Sequence, residues 1–230
     1  MTFSIGQNVI EIEIRALNLL KKSISKVQFE KAVSYLYKTS GKIIISGIGK
    51  SGHIGSKISS TLSSIGSSSF FLHPSEANHG DLGMIKKEDC MILISNSGES
   101  SELLNLILFC KKIKIPIISI TSELKSTLAK QSSAVLLIPK NVEACPLELA
   151  PTSSTTCTLV IGDALAITLL RKRKFTSKDF LKLHPGGKLG RLLLKVSDIM
   201  KTQKLMPLIK QDKNVSEAIL EMTSKGQGCV

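Results

Sequence analysis

The 230-residue sequence contains no tryptophan and only two tyrosines. Proteins that read nucleic acid through unstacked bases need aromatic platforms, so this scarcity removes that signature. The net charge of +13, from 31 basic and 18 acidic residues, is mostly lysine spread over many segments. The one dense cluster, Arg171-Lys172-Arg173-Lys174, falls at a predicted helix end, where cations suit the helix dipole. The charge is therefore read as solubility and attraction for small anions, with no nucleic-acid partner. Cysteine is sparse as well. Cys90, Cys110, Cys145, Cys157 and Cys229 are odd in number and form no C-x-x-C pair, which argues against a disulfide framework or a thiolate zinc site. Several stand in apolar runs, so buried free thiols in a reducing cytosol are expected. No secretory leader is legible, because Glu11, Glu13 and Arg15 interrupt the first 22 residues. The longest mainly apolar stretch, Leu159 to Leu170, is broken by Gly162 and Asp163 and is too short to span a bilayer. A cytoplasmic protein with no membrane partner is expected.

What the sequence does have is a repeated switch from apolar run to small-residue turn to helix. Met91 to Ile94 reads as a buried strand, followed at once by Ser95-Asn96-Ser97-Gly98-Glu99-Ser100. Gly98 permits a tight turn, and Ser100 with its neighbours opens a helix that Leu103, Leu104, Ile107 and Leu108 continue. Upstream, Ile43 to Ser46 leads into Gly47-Ile48-Gly49-Lys50-Ser51-Gly52 and then the helical pattern Ile54, Ile58, Leu62, Ile65. A helix N-terminus behind such a turn offers free N–H groups and hydroxyls to an anion, most naturally a phosphate. The Gly47 turn also fits G-x-G-x-x-G. The dinucleotide fingerprint, however, expects an acidic residue at the end of the second strand, and here Ser69 to Leu72 ends in His73-Pro74. A Walker A loop would need glycine where Ile44 stands.

Strands are predicted near 42–46, 69–72, 90–95, 116–120 and 134–138, alternating with helices and preceded by two amphipathic helices near 9–20 and 27–37. The first of these sets Ile10, Ile14, Leu17 and Leu20 on one face. That alternation predicts an α/β fold, a doubly wound five-stranded parallel sheet. With strand order 2-1-3-4-5, the two glycine and serine turns flank the switch point where ligands bind. After the fifth strand comes a loop with Glu143. Pro151-Thr152-Ser153-Ser154-Thr155-Thr156 then reads as a third hydroxyl-rich helix start. The tail changes rhythm, and Asn214 with Glu217 forms a capping-box pattern.

Six motifs in order carry a resemblance: Gly47-Ile48-Gly49-Lys50-Ser51-Gly52, His79-Gly80-Asp81-Leu82-Gly83, Ser95 to Ser100, Glu143-Ala144-Cys145-Pro146, Ala150 to Thr155, and His184-Pro185-Gly186-Gly187. Together they resemble the sugar isomerase (SIS) domain of bacterial arabinose 5-phosphate isomerases, over about residues 1–195, with the sheet in flavodoxin-like order. The division implied is 1–40 for the N-terminal helices, 41–195 for the SIS core and 196–230 for a truncated CBS-like tail, the opening part of a first CBS module.

The resemblance implies a cofactor-free interconversion of D-ribulose 5-phosphate and D-arabinose 5-phosphate that feeds synthesis of the lipopolysaccharide sugar Kdo. Such a carbonyl shift needs a base beside the carbonyl, a cation or hydrogen-bond donor on the enediolate oxygen, and a phosphate grip. By resemblance Lys50, Glu102, Glu143 and His184 are the catalytic set. Glu143 is the expected base with Glu102 as the alternative, Lys50 the oxyanion or phosphate cation, and His184 the acid–base group for ring opening or oxygen protonation. Gly49, Ser51, Ser95, Ser97 and Ser100 are implied to hold the phosphate. His79 is implied to contact the sugar, from the same chain or a neighbouring subunit, in a homotetramer. His73 is implied to take Zn2+, inhibitory in effect. Two other classes fit the turns: a non-catalytic SIS module that binds a sugar phosphate as a signal, and a nucleotide-dependent enzyme using the Gly47 turn.

Overall fold

A computed structural model of the chain describes residues 2–184 and 195–230. The chain divides into two units, Met1–Leu183 and His184–Val230. In the first, helices α1 (Thr2–Ser23) and α2 (Lys26–Lys38) precede an alternation of β1 (Ile43–Gly47), α3 (Gly49–Ser64), β2 (Ser69–Phe71), α4 (Pro74–Asn78), β3 (Cys90–Ile94), α5 (Leu104–Ile113), β4 (Ile117–Thr121), α6 (Thr127–Gln131) and β5 (Ala134–Leu137). The long helix α7 (Ser153–Lys172) and α8 (Ser177–Leu183) complete it. All five strands are parallel, in the order β2-β1-β3-β4-β5. This is the expected doubly wound sheet, with β1 and β3 side by side at the switch point.

Every residue of β1, β3 and β4 is buried, because helices cover both faces. The pleat divides the side chains. Ile43, Ile45, Ile92, Ile94, Ile118 and Ile120 meet α1, α2, α3 and α7 on one face. Ile44, Met91, Leu93 and Ile117 meet α5 and the segment after β2 on the other. At the amino edge of the sheet, buried Asp89 accepts from the Lys42 N–H at 2.7 Å and the Lys86 N–H at 2.8 Å, which fixes the starts of β1 and β3. At the carboxyl edge, the Ser46 hydroxyl donates to the Leu72 carbonyl at 2.6 Å and joins β1 to the end of β2.

α7 is the most deeply seated helix. It is long and apolar enough to pass a membrane-span test, yet half of it is buried, with Cys157, Ile161, Leu165 and Leu169 against the sheet and the neighbouring helices. It is a core helix. Lys57 on α3 meets Asp163 on α7 at 2.5 Å along their shared edge.

Two helix faces differ from the sequence expectation. In α1 the buried residues are Ala16 and Leu20, whereas Ile10 and Ile14 are 61% and 51% exposed, so only the C-terminal half docks on the core. In the helix after β3 the buried stripe is Leu103, Leu106, Ile107 and Cys110, and Leu104 and Leu108 face outward. The buried set keeps regular α-helical spacing, i, i+3, i+4 and i+7 from Leu103, so the stripe that packs is the one through Leu106 and Cys110 and not the neighbouring one through Leu104 and Leu108. Of the cysteines, Cys90, Cys110 and Cys157 are buried as expected, but Cys145 is half-buried and Cys229 exposed. In the second unit, helix Val215–Lys225 opens on the expected capping box: the Asn214 side chain accepts from the Glu217 N–H at 2.9 Å, and the Glu217 carboxylate accepts from the Asn214 N–H at 3.2 Å.

Candidate active site

The carboxyl edge of the sheet collects most of the expected residues. β1 ends at Gly47, directly beside Ile94 at the end of β3, so the two small-residue turns leave adjacent strands at the same level. Gly49 turns the chain into α3 with φ +56°, a left-handed conformation that side-chain-bearing residues adopt at a cost. Ile48 at the N-cap offers no side-chain acceptor, so the first N–H groups of α3 remain open to an anion. Lys50 is exposed and Ser51 half-buried in that first turn.

The turn after β3 is held from within and from outside. Buried Ser95 accepts from the Gly98 N–H at 3.1 Å, and its hydroxyl lies 2.8 Å from that of Ser100. Ser100 caps no helix with its side chain, because its hydroxyl is turned to Ser95 instead. The Ser97 hydroxyl accepts from the Glu99 N–H at 3.3 Å. Gly98 has φ +69°, and a Cβ there would collide with the Ser126 side chain. The Asn96 carbonyl accepts from the Ser122 N–H at 2.9 Å, the Ser122 hydroxyl at 2.9 Å and the Thr121 hydroxyl at 3.0 Å. Glu99 accepts from the Thr127 N–H at 2.7 Å, a backbone bond that holds its carboxyl below the usual range. The loop between β4 and α6 therefore fixes the backbone of the serine turn, while Ser97 stays exposed at its tip.

Glu102 lies exposed in the 3-10 turn, where it accepts from the Ser101 hydroxyl at 3.2 Å. Exposed His79 ends α4, and the adjacent Asn78 accepts from the Asn105 amide at 2.8 Å, which pins that loop to the first turn of α5. His73 caps α4: its Nδ1 accepts from the Ser75 N–H at 3.3 Å. Among the described residues no group of three or more His, Cys, Asp or Glu side chains comes together.

Glu143 occupies the loop between β5 and α7. Its Oε2 accepts from the Thr152 N–H at 2.6 Å, the Thr152 hydroxyl at 2.9 Å and the Ser154 N–H at 3.4 Å. Partial burial pushes the carboxyl up, but hydrogen bonds from Ser154 and Thr152 outweigh it and leave Glu143 below the usual carboxylate range. Glu143 is thus ionised near neutral pH. It borders two cavities. One, of about 110 Å3, is shared with Asn96 of the serine turn, Asn141 and Ser154. The other, of about 330 Å3, lies toward α1 and is lined by Ile12, Arg15, Leu19 and Asn141. The tight turn of β3 and the loop of Glu143 therefore face one space. His184 begins the second unit, and Pro185 to Gly187 of its motif lie outside the described residues.

Asn96, Glu99, Thr152 and Ser154 stand inside motifs legible in the sequence, but none of them was given a role of its own there. A hydroxyl-rich helix start nine residues after a loop glutamate was the available signal for Thr152 and Ser154. Chemically, the edge offers open helix N–H groups, hydroxyls and a lysine for a phosphate or an enediolate oxygen, and an ionised carboxylate for proton transfer.

Residues 35–168 match the SIS domain family. The chain is 51% identical over 221 residues to the arabinose 5-phosphate isomerase KdsD of Francisella tularensis, covering 94% of this chain and 67% of that protein. It is 48% identical over 224 residues to KdsD of Escherichia coli K12, covering 97% of this chain and 68% of that one. Among solved structures, Escherichia coli CFT073 c3406 in complex with arabinose 5-phosphate superposes with a TM-score of 0.77 at 40% identity, over 80% of this chain and 97% of the other. The Listeria monocytogenes protein lmof2365_0531 superposes with a TM-score of 0.78 at 31% identity, again over 80% and 97%. With half the sequence shared over nearly its whole length, the chain belongs to the SIS-domain family of arabinose 5-phosphate isomerases.

Proposed function

We propose that this protein interconverts D-ribulose 5-phosphate and D-arabinose 5-phosphate through an enediol, and that its product enters Kdo and lipopolysaccharide synthesis. The observation that carries the reading is the meeting of the two anion-type turns at the ends of adjacent strands β1 and β3, with Glu143 across a cavity from Asn96. The N–H groups of the first turn of α3, with Gly49, Ser51, Ser95, Ser97 and Ser100, hold the phosphate, and Lys50 steadies the phosphate or the developing oxyanion. Glu143 removes the proton from C1 of the ketose and returns it to C2, while the hydroxyl proton passes from O1 to O2; the reverse reaction runs the same steps backward. Glu102, exposed and carrying one neighbouring hydroxyl contact, is assigned a supporting role at the sugar hydroxyls. His184 opens the furanose ring of the aldose, and His79 contacts the sugar. The protons move among protein groups and substrate, so the proposed path uses no redox cofactor, and no step is assigned to His73 or to zinc.

The protein is proposed to act in the cytoplasm as a homotetramer. The exposed apolar side chains of α1, including Phe3, Ile5, Ile10 and Ile14, supply a surface for a second copy. Residues 196–230 are proposed as the opening part of a CBS module. The decisive experiment is to incubate purified protein with D-arabinose 5-phosphate alone and to assay the ketose. Turnover without any addition is expected. Its absence across a wide pH range would replace the enzyme with a sugar-phosphate-binding module, and a strict need for NAD would point to a nucleotide-dependent reaction.

A further inference from the structure

Proton transfer at carbon demands a carboxylate held in one rotamer, and a glutamate in a loop has three side-chain torsions to restrain. Thr152 supplies an unusual restraint. It stands at the N-cap of α7, where a threonine hydroxyl ordinarily accepts an N–H from the first turn of its own helix. Here it makes no such bond. Its Oγ1 instead donates to Glu143 Oε2 at 2.9 Å and accepts from the Ala144 N–H at 2.8 Å. The Thr152 N–H reaches the same Oε2 at 2.6 Å, and the Ser154 N–H of α7 reaches it at 3.4 Å, so the glutamate takes over the capping task that the threonine has given up.

The result is a closed ring of carboxylate, following peptide and helix N-cap. One hydroxyl bonds both ends of the Glu143-Ala144 pair at once. The Thr152 N–H, the Thr152 hydroxyl and the Ser154 N–H all converge on a single oxygen, Oε2. We propose that Thr152 is the positioning residue of this active site: by tying Glu143 Oε2 to the start of α7, its hydroxyl aims Oε1 at the substrate carbon. The assignment rests on the isomerase reading with Glu143 as base.

The test uses the full chain, with D-arabinose 5-phosphate as the probe. Thr152→Val keeps the shape and removes both hydroxyl bonds, whereas Thr152→Ser keeps the hydroxyl. Thr152→Val should lose roughly 10- to 100-fold in kcat, the range that a misplaced reacting group costs, with KM within about threefold of wild type. Losing a donor to the ionised carboxylate should also move the acid limb of kcat/KM to higher pH. The isotope effect with substrate deuterated at C2 should increase, because proton transfer becomes slower relative to the other steps. Thr152→Ser should restore wild-type values within about threefold. If Thr152→Val fails to fold, Thr152→Ala removes the same hydroxyl without adding bulk and is read in the same way. Unchanged kcat and pH profile in the hydroxyl-free variant would overturn the inference. So would a loss that leaves the acid limb in place and that serine does not rescue. In either case an active wild type leaves the isomerase reading standing, whereas an inactive wild type refutes that reading itself.

Discussion

Lys50 and Glu143, the proposed cation and base, are held in opposite ways. Lys50 is exposed on a turn that a glycine bends, a placement that fits its proposed role at an anionic substrate. Lys50→Ala should therefore lose at least about 100-fold in turnover, a typical loss for an oxyanion or phosphate group, while the denaturation midpoint stays near wild type. Glu143 does two things at once, because its carboxylate also caps α7. Glu143→Gln should lose at least about 100-fold in turnover. It should also alter the dependence of stability on pH. Since hydrogen bonds hold the folded carboxyl below its unfolded value, the charge stabilises the fold above the unfolded carboxylate range, and that contribution disappears as pH falls through the lowered folded value. Denaturation midpoints of wild type and variant should differ at pH 7 and converge toward acid pH; a difference that persists unchanged at acid pH would deny the carboxylate this role.

Each of the site's turns depends on the element behind it. The serine turn after β3 keeps its shape because the loop before α6 fills the space beneath it, with Ser126 packed against Gly98 and Glu99 bonded to the first N–H of α6. Gly98→Ala combines a positive φ with a side-chain collision and should cost about 1–3 kcal/mol. It should raise KM for the phosphosugar more than it lowers kcat, as steady-state kinetics would show. α7 supports Glu143 in a similar way, and its own support is the core. Leu165, fully buried on that helix, should cost about 2–5 kcal/mol when replaced by alanine, measured by chemical denaturation. The same α7 defeats a reading by hydropathy alone. Over its full length, Ser153–Lys172, it is longer than the apolar stretch Leu159 to Leu170 and suits a bilayer by length and apolarity, and the packing of its buried half against the sheet and helices identifies it as a core element.

For the molecule as a whole, the N-terminal helix matters most. α1 docks on the core through Ala16 and Leu20, ties to α7 where the Thr156 hydroxyl donates to Glu13 at 2.8 Å, and leaves the apolar residues of its first half exposed. Placing charge there, as in Ile10→Asp with Ile14→Asp, should reduce the sedimenting species below the proposed tetramer without unfolding the chain; an unchanged assembly would assign those side chains to another task. The positive charge of the chain, +13, is of the right sign to draw a sugar phosphate toward the crevice.

The sequence by itself determined the order of elements, the parallel sheet and the two anion-type turns, because runs such as Cys90–Ile94 and the glycines beside them encode strand and turn locally. The capping box at Asn214 and Glu217 was legible for the same reason, since all of its partners lie within four residues. What only the tertiary structure decided involved residues far apart in the chain or a change of helix phase. The outward face of α1 is set by where the helix meets α7, and the turning of Leu104 and Leu108 to solvent by which of two apolar stripes at helical spacing the sheet takes up. The grip of Ser122 on Asn96 arises where separate loops converge at one sheet edge, and that of Thr152 on Glu143 where one long loop folds back on the start of its own helix. A hydrogen bond between loops has no periodicity to read; it exists only once the strands beneath have fixed where those loops begin.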